Sequence, residues 1–180
     1  MNHHKNELHI ALRIVHASEF EKFKGDLQSA FSVSAEKEFG HTLDEPIPSD
    51  EDIEESILAS GAIVYWIEAN QEIVGGAVVV IDEATQHNSL SFFFISTKNQ
   101  SRGVGLLAWK AIEKAHPKMK IWETVTPYFE KRNIHFYVNR CGFKIVEFYT
   151  KFNPDPHQHT TASLDNEDDD EMFRFEKVMK

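Results

Sequence analysis

Residues 9–15 (His-Ile-Ala-Leu-Arg-Ile-Val) alternate apolar and polar positions, the period-two pattern of a strand. The period then lengthens: Phe20, Phe23, Leu27 and Phe31 recur at helical spacing. Ser18, followed by Glu19 and Glu21, is placed to cap that helix. Pro46 and Pro48 break the pattern, and Ser49 opens a short acidic helix predicted over 50–60. Three strand-like runs follow at 62–69, 73–82 and 90–96. Their connectors are short enough for hairpins, so the pattern predicts an antiparallel meander. An amphipathic helix is expected over 103–116, stopped by Pro117, and then a strand over 120–126. A last helix, about 129–140, ends at Gly142, a left-handed cap. Runs at 144–152 and 172–178 predict a final pair of strands. There are no internal repeats and no linker, so residues 1–180 are expected to form a single domain.

Composition narrows the class. The chain is 41% hydrophobic and 27% charged, enough to bury a core without cross-links. Cys141 is the single cysteine, which excludes a disulfide framework and points to a reducing compartment. The N-terminal residues lead into no long apolar run, so neither a signal peptide nor a membrane partner is expected, and the cytoplasm is the expected location. The net charge of -10 argues against a nucleic-acid partner and suits a cationic one such as an amine. Much of the acid lies in 44–55 and 165–171, read as solvated loops. Residues 153–170 are polar and aperiodic and carry His157 and His159. These read as surface histidines, and no metal is expected. Nothing in the sequence sets the oligomeric state, and a homodimer stays open.

The chemistry centres on Gln100-Ser101-Arg102-Gly103-Val104-Gly105, between a strand and a helix. The first N–H groups of a helix lack internal partners and face a positive dipole end, so this is a phosphate cradle. One reading is dinucleotide binding: Gly103, Gly105 and Ala108 satisfy G-x-G-x-x-A, and Glu123 stands twenty residues on for a ribose. Against it, residues 97–102 separate strand from glycines, the strand closes a meander, and too little chain follows for a doubly wound sheet.

The second reading adds Gln100, which with Gly103 and Gly105 resembles the acyl-CoA-binding motif of the GNAT family of N-acetyltransferases. Asn133 through Phe136-Tyr137 to Gly142-Phe143 is similar to that family's second signature, and the element order matches almost the whole chain. The resemblance implies an α/β (α+β) fold with a mixed, mostly antiparallel sheet of about seven strands and about four helices. The sheet would splay between the strands at 90–96 and 120–126. It implies acetyl-CoA as cosubstrate, its pantetheine arm pairing with backbone at Phe94, Ile95 and Ser96. The pyrophosphate would rest on Ser101, Arg102, Gly103, Val104, Gly105 and Leu106, with Gln100, Asn133 and Phe136 alongside. Gln100 stands where an arginine is often found. Glu130 stands where many relatives carry asparagine, and Asn133, one turn on, is taken in its place.

The implied activity is direct transfer of acetyl to a primary amine of a small molecule or peptide. Tyr137 matches the tyrosine that protonates the departing thiolate. The amine must lose a proton first, since a lysine-like group of pKa ~10.4 is charged near neutral pH. Glu123, beside the splay, is the candidate base, acting directly or through water, with His135 behind it. Tyr65, Trp66, Tyr128 and residues 44–52 are candidate walls for the acceptor. The alternative from a different class is a non-catalytic acyl-CoA-binding regulatory module.

Overall fold

The computed structural model describes residues 8–100, 103–157 and 171–180. The alternating N-terminal run forms β1 (Ile10–Ile14). A single 3-10 turn, Ala17–Glu19, leads into α1 (Phe20–Phe39), and α2 spans Asp50–Leu58. The meander is β2 (Ala62–Ala69), β3 (Glu72–Val80) and β4 (His87–Ile95). Helix α3 (Val104–Ala115) and β5 (Ile121–Pro127) follow. Helix α4 (Lys131–His135) runs into a π turn, Phe136–Cys141, and the chain closes with β6 (Lys144–Tyr149) and β7 (Met172–Val178).

Two expectations at helix ends need correction. Ser18 does not cap α1. Glu19 reaches back to the His16 N–H (3.1 Å) while holding Arg13, so the helix entry is fixed one turn of 3-10 earlier. The helix expected over 129–140 is α-helical for five residues only and then widens into the π turn. Ser49 does cap α2, accepting from the Asp52 N–H at 3.2 Å. Gly142 closes the π turn in the left-handed conformation (φ 82°).

The seven strands form one sheet in the order β1-β2-β3-β4-β5-β7-β6. Every neighbouring pair is antiparallel except β4–β5, which is parallel. That pairing covers three positions only: His87↔Ile121, Asn88↔Trp122 and Ser89↔Glu123. Just past them the Thr124 hydroxyl donates to the Leu90 carbonyl at 2.9 Å. From there the strands part, so the mixed, splayed sheet that the resemblance implies is the sheet observed.

Each face of the sheet carries its own core, as alternation of side chains along strands requires. Phe23, Leu27 and Ile53 from α1 and α2 pack on Trp66, Val78 and Phe94. Trp109 and Ile112 from α3 pack with Trp122, Tyr137, Phe143 and Phe175 on the other face. Tyr65 and Trp66 fall on opposite faces and are buried in both cases, so they are core residues and not walls of an acceptor site. No helix among the described residues is long and apolar enough to cross a membrane.

Candidate active site

A cavity of about 820 Å³ lies at the end of β4, beyond its short pairing with β5. Its walls are the end of β4, the start of α3, the start of α4 and the C-terminal half of α1. Of the residues expected at a cofactor site, Phe94, Ile95, Gln100, Gly103, Gly105, Leu106, Asn133 and Phe136 line it together. Ser101 and Arg102 lie outside the described residues, as does His159.

Backbone polarity along β4 decides which groups a ligand can reach. The Ser96 N–H donates to the Val74 carbonyl (2.8 Å), so Ser96 pairs with β3. The Ser96 carbonyl accepts from the Asn99 N–H (2.9 Å). Ser96 is therefore spent inside the protein, a correction to its expected pairing with a ligand. In an antiparallel pair the hydrogen-bonding direction alternates. Phe94, opposite Gly76, then also faces β3, whereas Phe93 and Ile95 turn their N–H and C=O into the gap. The Ile95 carbonyl takes the Gln100 side-chain amide at 2.9 Å, and the Gln100 side-chain oxygen is contacted by Arg132. Gln100 thus ties the end of β4 to the start of α4 and shapes the cavity rim.

Gly103 is the N-cap of α3, with φ 77° and ψ -1°, a left-handed conformation that favours glycine. The first bond of the helix runs from the Leu107 N–H to the Gly103 carbonyl (3.2 Å). The N–H groups of Val104, Gly105 and Leu106 precede it and lack an intrahelical acceptor. The Val104 side chain itself is buried in the core, so its contribution is backbone alone. The strand edge at Phe93 and the Ile95 N–H, beside a helix N-terminus, fits a pantetheine arm ending in a pyrophosphate. A 3-10 turn, Thr97–Asn99, stands between β4 and the glycines, and β4 closes a meander. Neither feature suits the dinucleotide reading.

Tyr137 sits on the π turn, buried at 5% exposure against Phe136, Phe143 and Phe175. Thr124, at the opening of the splay, is near enough to its hydroxyl to favour the ionised form slightly. Burial, with Cys141 and Glu130 nearby, pushes its phenol well above the ordinary value. The group is therefore protonated in the resting protein. Cys141 is buried too, its thiol pushed up to about 12 by desolvation, which suits packing and not nucleophilic attack.

Glu123 lies elsewhere. It stands opposite Ser89 in the zipped part of β4–β5 and does not line the cavity. His87 Nε2 (3.0 Å), Ser89 Oγ (3.1 Å) and Arg174 (3.4 Å) already engage its carboxylate. His87, Glu123 and Glu176 gather within 4.8 Å, but Arg174 already supplies positive charge to both carboxylates. His135 is at the cavity rim, exposed, with Nδ1 3.0 Å from the Asn139 amide.

Two residues outside the candidate set also line the cavity. Phe93 stacks on Phe136 (centroids 5.7 Å apart, 13° between planes), joining β4 to the π turn across the cavity. Glu130 lines the cavity at 5% exposure and accepts from Ser34 Oγ at 2.9 Å. Ser34 continues the Phe20, Phe23, Leu27, Phe31 stripe, so a polar residue in an apolar register was the available signal.

This splayed sheet with its helix-start cradle is the architecture of a GNAT acetyltransferase, and the chain belongs to that family: residues 26–143 match the model of the Acetyltransferase (GNAT) family. It is 50% identical over 179 residues to the uncharacterized protein YrkN of Bacillus subtilis, covering 98% of this chain and 97% of that one. Solved structures share the fold. A Bacillus subtilis acetyltransferase in complex with CoA matches with TM-score 0.65 and 20% identity, over 97% of this chain and 100% of that one. A GNAT acetyltransferase from Elizabethkingia anophelis with acetyl-CoA bound matches at 0.64 and 18%, over 94% and 98%. The ribosomal-protein-S18-alanine N-acetyltransferase of Escherichia coli matches at 0.67 and 10%, over 94% of each.

Proposed function

We propose that this protein is an acetyl-CoA-dependent N-acetyltransferase acting on a primary amine of a small molecule or peptide by direct attack. The observation that carries the reading is the cavity at the end of β4, which gathers the start of α3, the β4 edge and the start of α4 around one space. At one end the free N–H groups of Val104, Gly105 and Leu106, with Gln100 at the rim, take the pyrophosphate. Along its floor Phe93 and Ile95 offer backbone to the pantetheine arm, while Asn133 and Phe136 form the facing wall. Tyr137, buried directly behind the cavity-lining Phe136, is the proposed donor of a proton to the sulfur. Acetyl-CoA supplies an activated acyl group, and the chain supplies placement and protons. A free cysteine and an acidic surface agree with a cytoplasmic protein whose partner is a cationic amine.

Thermal melting with acetyl-CoA and with NAD tests the cofactor. A ligand at ~100 times its Kd adds about 2.7 kcal/mol to stability. Stabilisation by acetyl-CoA and none by NAD is expected, and the reverse would sink the proposal. An amine library read by thiol release tests the transfer. Binding of acetyl-CoA with no thiol released from any amine would favour the non-catalytic module.

A further inference from the structure

Transfer to a lysine-like amine needs a group that removes its proton, and Glu123 is outside the cavity. Inside it, Glu130 is the one charged side chain that is buried among the described residues. It stands at the N-cap of α4, seven residues before Tyr137. Ser34 on α1 donates to Glu130 Oε2 at 2.9 Å and so fixes the carboxyl between the two walls. Lys37 and Glu38 face the same cavity from α1, and Lys131, Arg132, His135 and Arg140 from the α4 side.

We infer that Glu130, positioned by Ser34, is the general base: it pairs with the acceptor's ammonium and takes its proton before attack. This rests on the acetyl-transfer reading above. Desolvation raises the Glu130 pKa, with Glu38 adding to it and Ser34 and Arg132 opposing it, which moves a carboxylate toward the operating pH of a base. In the step, one N–H proton passes to the Glu130 carboxylate. The freed lone pair forms the C–N bond to the thioester carbonyl carbon. The C–S bond breaks and its electron pair leaves on sulfur, which Tyr137 O–H protonates. The Tyr137 phenolate recovers the second nitrogen proton, and Glu130 returns its proton to solvent. The products are an acetylated amine, a free thiol and one proton.

The test compares Glu130→Gln with wild type on two small probes, methylamine and methoxyamine. Methylamine is charged near neutral pH and needs the base; methoxyamine is already neutral there. Thiol release from methylamine should fall roughly 10²–10⁴-fold in the variant, with methoxyamine changed by less than about threefold. The Kd for acetyl-CoA, by calorimetry, should not change. Melting without acetyl-CoA gives a second readout: Tm should stay at or above wild type, because glutamine still accepts from Ser34 and removes a desolvated charge. Ser34→Ala should move the acidic limb of the methylamine rate profile to higher pH, since the lost donor had favoured the carboxylate. Equal losses with both amines, or a weakened acetyl-CoA Kd that accounts for the loss, would make Glu130 a structural or cofactor contact and overturn the inference. A wild-type protein that binds acetyl-CoA but acetylates neither probe overturns the transfer reading itself, and the base with it.

Discussion

Gly103→Val separates a backbone effect from a ligand effect at the helix start. An ideal Cβ at Gly103 meets nothing within 4 Å, so the first side-chain atom has room inside the protein. Its internal cost comes from φ 77°, a region that costs an L-residue about 1–2 kcal/mol, with a β-branched side chain at the high end. For a domain of this size each kcal/mol lowers Tm by roughly 2–4 °C, so a fall of about 2–8 °C is expected. A typical stability of about 5–15 kcal/mol leaves the fold intact. The new side chain also covers the approach to the α3 N–H groups. Hydrogen bonds to a charged group contribute about 1.5–3 kcal/mol each, so losing one or two weakens the acetyl-CoA Kd roughly 10- to 10³-fold or more. The assay is calorimetry with acetyl-CoA beside melts with and without it. Gly103→Ala adds the same Cβ with less strain and should share most of the binding loss. A Kd within twofold of wild type in both variants would refute the phosphate cradle. A loss confined to valine would assign the effect to strain.

Tyr137→Phe should lower turnover by roughly 10²–10⁴ with the acetyl-CoA Kd unchanged, and unchanged turnover would remove Tyr137 from the chemistry. Glu123→Gln distinguishes the two carboxylates: with Glu130 as base, turnover should change by less than about threefold, and a loss as large as that of Glu130→Gln would return the role to Glu123. His116 is half-buried, with its Nε2 3.2 Å from the Tyr65 hydroxyl, and burial lowers its pKa below the ordinary 6.5. The unfolded chain therefore takes up that proton first as pH falls, so this group's contribution to stability is lost as pH drops below 6.5. Melts of His116→Gln from about pH 5 to 7 should show a shallower slope than wild type, and an identical slope would refute the assignment.

Much of the site was legible because its chemistry is local. Gly103 and Gly105 follow a strand and open a helix, and backbone N–H groups at a helix start lie where the sequence puts them. Tyr137 was legible for a related reason, its fixed distance from Gly142-Phe143. Ser96 was misassigned because the direction of its N–H depends on the phase of the β3–β4 ladder, and that phase is set by the partner strand. The π turn went unseen because one residue of widening leaves the hydrophobic pattern almost unchanged.

The two carboxylates mark the boundary most clearly. Glu123 and Glu130 are both acids near the splay in sequence, and read along the chain the role of base fell to Glu123. The element order, the glycines at the start of α3 and the family could be read along the chain. Tertiary structure alone decided that β4 and β5 stay zipped as far as Ser89 and Glu123, leaving Glu123 among His87, Ser89 and Arg174. It alone brought Ser34, ninety-six positions away, to Glu130. The reason is physical: a pattern of apolar residues specifies which face is buried, whereas the desolvation and pairing of a charge depend on what the rest of the chain packs against it.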